Sequence, residues 1–306
     1  FLATCNANKN FFTSVETKGS AKKFIKFAGQ STYIGREGIE FYPQELMVFK
    51  LSPLPGITGC TCLRNMQNSK SKYKIPVADT LLETKYLHPM VKGKDITPFH
   101  VKWDEYIVPF PYEESNTRIP IQMKELSVKA PRLAQYYNKY KKLILAQTEY
   151  NEKIIGNSEA DFYALARVGE YSFAKNYVVF RDNTKWAAAV ISEVETTWGG
   201  KKRPLFQNHA VSLCEDENGR FISYDEAHYI CGILNSNLVR EYMMNSSDSR
   251  SFPIRPRVKI PKYDKTNKIH KRIAFLSKRA HECYSDDREI AKILNELDEL
   301  YLSLIE

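Results

Sequence analysis

The 306-residue sequence predicts an α+β fold, with mixed small sheets, one long helix and a C-terminal antiparallel helical hairpin. Three observations carry that expectation. Short apolar or β-branched runs bounded by Gly and Pro recur up to about residue 120, as strands do. Between 121 and 155 the apolar spacing changes to three and four residues, the helical period. From 269 onward that spacing returns in two amphipathic segments.

Residues 24–28, 46–50 and 106–110 read as strands. The run 52–74 holds Pro53, Pro55, Gly56, Gly59, several Asn and Ser and five basic residues, so a loop is expected there. Leu126, Leu133, Tyr136, Tyr137, Tyr140, Leu143, Ile144 and Ile154 mark the long helix at about 121–156. Pro131 opens its main part, its lysines lie on the wet face, and Gly156-Asn157-Ser158 stops it. Asp182-Asn183-Thr184 separates the apolar runs 177–181 and 185–191, a hairpin. Glu217-Asn218-Gly219 separates 210–214 from 220–223, a second one. Ser223 or Asp225 can cap a helix that buries Ile230, Leu234, Leu238 and Tyr242. Pro253, Pro256 and Pro261 forbid a helix over 245–264, which is expected to be extended and exposed. In the tail, Ile269, Ile273, Leu276, Ala280 and Cys283 face Ile290, Ile293, Leu297, Leu300 and Leu304 across a coiled-coil-like seam. Ser285 is the expected N-cap of the second tail helix, with Asp286 and Asp287 at its positive end.

A hydrophobic share of 43% with 12% aromatics marks a globular chain with a real core. No apolar run reaches the eighteen or so residues of a membrane span, and no signal-peptide layout opens the sequence, so a bacterial or archaeal cytoplasm is expected. The chain does not begin with Met, and a fragment of a longer polypeptide is expected. The net charge of +9 fits a polyanionic partner and equally fits simple solubility. Cys5, Cys60, Cys62, Cys214, Cys231 and Cys283 are too scattered for a zinc site and are expected as reduced thiols. There is no Pro-Pro pair, hence no Asn/Asp-Pro-Pro-aromatic loop for amino methylation. Gly-rich cofactor turns, a P-loop, HExxH and GxSxG are also missing. Glu16-Thr17-Lys18 has no upstream acid, and Asp79 stands too near Glu83-Thr84-Lys85, so neither triplet has the spacing that a Mg²⁺-dependent nuclease needs. The six histidines are isolated in sequence and read as structural or surface residues.

Four stretches occur in a telling order. They are Tyr33-Ile34-Gly35-Arg36-Glu37-Gly38-Ile39-Glu40; Leu87-His88-Pro89-Met90-Val91-Lys92-Gly93-Lys94-Asp95-Ile96, followed by an aromatic-rich strand; the helix from Pro131; and Ile230-Cys231-Gly232-Ile233-Leu234-Asn235-Ser236-Asn237-Leu238-Val239, followed by a Pro-rich segment. Together they resemble the target-recognition region of N6-adenine DNA methyltransferases and of enzymes that fuse methylation to cleavage. The resemblance departs at the end of the long helix, where Glu149 and Lys153 stand near the family's usual Arg. It implies a recognition domain over 1–265 and a hairpin tail over 266–306, with no catalytic residues in this chain. S-adenosylmethionine would bind a separate methyltransferase domain or subunit. The tail hairpin also resembles the spacer helices of type I specificity subunits, which leaves that subtype open.

Double-stranded DNA is the partner the resemblance implies. Basic loops grip phosphates, and a few side chains reach base edges: Arg matches guanine, Asn and Gln match adenine. The candidates are Arg36, Lys92, Lys94, Lys201, Lys202, Arg203, Gln207, Asn208, Arg250, Arg255 and Arg257. The basic turn at 201–203 after Gly199-Gly200 is expected to be exposed. Each has a plainer reading as well: Arg36 pairing with Glu40, Lys92 and Lys94 supporting a turn around Gly93, and the rest simply solvated. Trp198 can stack on a base, but reads first as a packing residue. A small nuclease and a coiled-coil interaction module are the more distant alternatives.

Overall fold

A computed structural model describes residues 2–4, 12–14, 25–26, 28–67, 75–146, 162–246 and 251–305. The strands are β1 (Leu2–Thr4), β2 (Phe12–Ser14), β3 (Tyr33–Arg36), β4 (Phe49–Leu51), β5 (Cys60–Asn65), β6 (Asp79–Glu83), β7 (Leu87–Val91), β8 (Ile96–Thr97), β9 (His100–Val101), β10 (Ile107–Pro109), β11 (Tyr177–Arg181), β12 (Ala188–Ile191), β13 (Val194–Thr196), β14 (Gly200–Lys202), β15 (Leu205–Phe206) and β16 (Ala210–Asp216). The helices are α1 (Gln44–Met47), α2 (Met123–Lys129), α3 (Pro131–Leu145), α4 (Tyr224–Asn235), α5 (Asn237–Ser246), α6 (Lys268–Glu282) and α7 (Asp287–Ile305). The class is α+β, as the sequence predicts.

Two sheets organise the chain. One has six strands in the order β15-β7-β10-β4-β5-β6, and the other four in the order β12-β11-β16-β3. The β15–β7 pair is parallel. The remaining pairs of both sheets are antiparallel. Helices α2 and α3 close one core with the six-stranded sheet, through Leu126, Leu133, Tyr136 and Tyr137 against Phe49, Leu63 and Leu82. Strands β11 and β12 of the four-stranded sheet are covered on both faces, and they read as nearly continuous apolar runs, Tyr177–Phe180 and Ala188–Ile191. Val178 and Phe180 of β11 point toward α4 and the C-terminal helices. Tyr177 and Val179 alternate to the opposite face, where Val91 and Phe206 of the larger sheet's edge pack.

Helix α3 begins at Pro131, whose missing N–H belongs to a turn that lacks intrahelical acceptors anyway. The other open amides of that turn find a partner far away in sequence. The Glu83 carboxylate accepts from Arg132 N at 2.7 Å and Leu133 N at 2.9 Å. This explains the Glu83-Thr84-Lys85 triplet, whose acid serves as a helix cap. The expected long helix is two helices, α2 and α3, parted at Ala130 just before the proline. Its expected end, Gly156-Asn157-Ser158, lies outside the described residues. Lys139 and Lys142 are exposed on α3, as the wet-face reading expects.

Several local expectations are corrected. Residues 44–47 form α1, whose first turn closes on the Pro43 carbonyl, so the strand expected over 46–50 begins only at Phe49. The region expected as one loop, 52–74, contains β5, because the Cys60–Asn65 run pairs with β4 on one side and β6 on the other. Its entry turn needs Gly59, at φ +75°. Residues 68–74 lie outside the described residues. Residues 25 and 26 are helical rather than extended, and Ala28 forms a single bridge with Val258. The hairpin around 182–184 forms as β11–β12. That around 217–219 turns at Gly219, but its return limb is a single bridge, Glu215 to Phe221. The chain is diverted there into α4, capped by the reciprocal Ser223–Glu226 box.

Residues 251–264 are irregular and extended, but not an exposed arm. Phe252, Val258 and Ile260 are buried in the core beneath the helices. In the tail, α6 and α7 form the expected hairpin. The N-cap of α7 is Asp286 rather than Ser285: its Oδ1 accepts from Arg288 N at 3.0 Å and Glu289 N at 3.1 Å. Among the described residues, no helix is long and apolar enough to cross a membrane.

Candidate nucleic-acid interface

Three turns meet at one end of the two sheets. The first is the Lys92-Gly93-Lys94-Asp95 turn that follows β7. Asp95 closes it by accepting from Lys92 N at 2.8 Å, and burial raises the Asp95 pKa. The second is the 207–209 turn between β15 and β16, held by Gln207 N donating to Val91 O at 2.9 Å. The third is the 182–184 turn after β11. The first two pack backbone to backbone: a Cβ on Gly93 would overlap the carbonyl of His209. Gly38 is constrained in the same way against the carbonyl of Gln207, and Gly35 against that of Ile254. The glycines of the two motifs are thus close-approach positions.

The second and third turns are joined by His209. Its Nδ1 donates to Asp182 Oδ2 at 3.1 Å, and Asn183 Nδ2 lies 3.4 Å from the same nitrogen. Asn183 Oδ1 in turn accepts from Arg181 Nε at 3.3 Å. Two acceptor oxygens here, Asp182 Oδ1 and Asn208 Oδ1, are shielded yet have no hydrogen-bond partner. Unmet acceptors are costly where they are buried.

The three turns form a ledge whose basic side is built around Tyr106, the residue before β10. Lys92 Nζ lies 3.7 Å from the centroid of the Tyr106 ring, Lys50 Nζ 4.8 Å and Lys94 Nζ 5.3 Å. Asp104 binds Lys94 at 2.8 Å and Lys50 at 3.1 Å, and these ammonium contacts hold its carboxyl well below the usual range. Burial, with the neighbouring Lys94 charge, lowers the Lys92 pKa. The sequence reading placed Lys92, Lys94, Gln207 and Asn208 as candidates, and these four come together. It missed Lys50, Tyr106, Asp182, Asn183 and His209.

The other candidates are elsewhere. Arg36 lies opposite Ser212 in the β3–β16 ladder. Its guanidinium pairs with Glu215, Nε to Oε1 at 2.6 Å, and covers the Tyr171 ring at 4.9 Å. It does not pair with Glu40, which is bound by Arg167. The expected exposed turn at 201–203 is largely strand β14 and its exit. Only Lys201 is fully exposed. Lys202 Nζ donates to Thr84 O at 3.1 Å, and burial lowers its pKa. Arg203 lies over the Phe173 ring at 4.5 Å, with its Nε shielded and unpartnered. Trp198 packs on the core of the six-stranded sheet, as expected of a packing residue. Arg255 is pinned by Ser31 O at 2.7 Å and Glu217 at 3.1 Å. The Arg257 side chain is exposed, and its carbonyl accepts from Tyr242 Oη at 3.0 Å. Arg250 lies outside the described residues.

Among the described residues, no group of three or more His, Cys, Asp or Glu side chains could hold a metal ion. Cys60, Cys62, Cys214, Cys231 and Cys283 are free thiols. Five histidines are structural or stacked. His281, for example, accepts from Val190 N at 2.9 Å and donates to Ser277 O at 2.7 Å, which fixes a neutral ring. No protein-family model matches the chain, and a search of curated proteins finds no match.

Proposed function

We propose that this chain recognises DNA sequence as the target-recognition region of an N6-adenine DNA methyltransferase, or of an enzyme that fuses such a methyltransferase to a nuclease. The observation that carries the reading is the packing of three sequence-distant turns that bear lysines and amide side chains: Gly93 abuts the His209 carbonyl, and His209 meets Asp182. DNA needs that pairing, since cations position the backbone while amides and carboxylates read base edges. On this reading Lys92 and Lys94 contact phosphates. Gln207 offers the donor and acceptor set that fits adenine, with Asn208 beside it in the same turn, while Asp182, bound to His209, holds that turn in place. Methylation itself, with S-adenosylmethionine and the flipped adenine, belongs to a separate domain or subunit.

A second reading, a DNA specificity subunit of a type I restriction–modification system, draws support from the C-terminal hairpin. Its basic α6 and acidic α7 carry cross-helix pairs such as Arg272–Glu296 at 2.5 Å, and a spacer between subunits has this form. A second recognition domain of the same layout in the full gene product would favour it.

The test is fluorescence-anisotropy binding to a randomised duplex pool at low and moderate salt, with the retained sequences read out. Salt-weakened binding that enriches a short adenine-containing site is the expected result. A pool retained without enrichment, or no retention by the full-length gene product, would overturn the reading.

A further inference from the structure

We infer that Lys50, Lys92 and Lys94 form a clamp for a single DNA phosphodiester, with Asp104 as its internal latch; this rests on the DNA-recognition reading above. The sheet register builds the clamp. β10 lies between β7 and β4, and the pairing that sets Ile107 opposite Phe49 and Pro89 carries Tyr106 opposite Lys50 on one side and Met90 on the other. Cross-strand neighbours share a face, so the Lys50 stem reaches the Tyr106 ring directly. Lys92 reaches the same ring two residues past Met90, at the end of β7, where the turn around Gly93 also brings in Lys94. Three ammonium groups thereby lie within 5.3 Å of one aromatic centroid.

The charge balance points to an anion. Asp104 is bonded to Lys50 and Lys94 and leaves Lys92 without an ion pair among the described residues. The second nearby carboxylate, Asp95, turns to the backbone of Lys92. Three positive charges against these two negative ones leave one unmatched, the charge that a phosphodiester brings. The Tyr106 ring holds the lysines through cation–π contact without neutralising them. Lys92 is the most desolvated of the three and has most to gain from an arriving anion. The sequence could not nominate Lys50, since nothing local links position 50 to position 106.

The same anisotropy assay tests this on the full chain, with affinity followed against salt. Lys50→Gln and Lys92→Gln should each weaken binding across all sequences and reduce the slope of log affinity against log salt by up to about one, the share of the single phosphate they hold. Asp104→Asn should act in the opposite direction, tightening binding and steepening the slope, because it releases two ammonium groups toward the phosphate. Lys271→Gln, on the exposed face of α6, should leave the slope unchanged. If wild-type protein binds and the Lys50 and Lys92 variants keep its slope, or folded Asp104→Asn binds more weakly, the clamp is wrong while the recognition reading stands. If wild-type full-length protein does not bind, both fall. Lys50 is a surface residue, so Lys50→Gln carries the test even if Lys92→Gln fails to fold.

Discussion

At the scale of single residues, the chain shows how little freedom its motif glycines have. Gly35, Gly38 and Gly93 each face a carbonyl across a space with no room for a methyl group. The obstacle in each case is backbone, which cannot swing aside as a long side chain can. Gly93→Ala should therefore destabilise the protein by roughly 1–3 kcal/mol, the usual cost of overpacking; a shift in the urea midpoint measures it. An unchanged midpoint would mean that the two turns do not touch. A second residue ties stability to pH. His228 is buried, its Nδ1 meets Ser277 Oγ at 3.2 Å and its Nε2 has no partner. Burial, with the nearby His281 and Lys278, pushes its pKa from the ordinary 6.5 down to about 3. Above pH 6.5 the ring is neutral in both folded and unfolded chains and has no effect. Below it the unfolded chain takes up a proton that the folded one refuses, so stability falls as pH drops toward 3. This one group contributes a slope of up to about 1.4 kcal/mol per pH unit. His228→Gln should flatten the fall between pH 6.5 and 5 in urea titrations. A parallel fall in both proteins would assign the acid sensitivity to other groups.

Elements differ in how much of them is local, and that decides what can be read from sequence. The tail helices were legible because a three-and-four spacing over two or more turns is self-contained. Their boundary was less so. Ser285 and Asp286 are both good caps, and only the observed bonds from Arg288 N and Glu289 N select Asp286. Asp286→Ala should cost about 1 kcal/mol, and Ser223→Ala a similar amount by opening the capping box of α4. Ser285→Ala should stay within about 0.5 kcal/mol of wild type, as exposed substitutions do. Thermal unfolding of the three variants gives the order directly, and an equal loss at Ser285 would return the cap to that residue. Strand β5 escaped notice for the opposite reason. Its Cys-Thr-Cys-Leu-Arg-Asn run is weakly β-forming alone and is fixed by partners on both sides. The candidate site divides in the same way. Lys92-Gly93-Lys94-Asp95 is a contiguous turn and was visible, whereas Lys50 beside Tyr106 and Asp182 beside His209 are contacts across strands. The arginines were misjudged through their partners. A basic residue in a Pro-rich or Gly-flanked stretch looks exposed in sequence, but Glu215 and Glu217, which hold Arg36 and Arg255, are brought in by β16 and the turn after it.

Over the whole molecule, the C-terminal hairpin is part of the core rather than an appendage. Ile273 and Leu276 of α6 and Ile293, Leu297 and Tyr301 of α7 share one buried cluster with Ile230, Ile233 and Leu234 of α4 and with Val178, Phe180 and Val211 of the four-stranded sheet. Tyr301 Oη also donates to Lys259 O at 2.8 Å, tying the last helix to the extended segment before it. The face of the hairpin that the heptad-like spacing selects is thus covered from within the chain, and a partner domain would meet its outer, charged face. Two results should follow. Leu297→Ala, which empties a site only 1% exposed, should cost about 2–5 kcal/mol. A chain ending at residue 265 should lose cooperative unfolding of the four-stranded sheet as well, since α4 would then present a wide apolar face to water. The ledge turns at 182–184 and 207–209 are anchored in that same sheet, so the shortened chain should also lose whatever the ledge binds. Hydrogen exchange over 177–216 is the direct measurement. Protection retained after truncation would show that the sheet stands without the tail, and would make the hairpin the separable module that its sequence alone suggests.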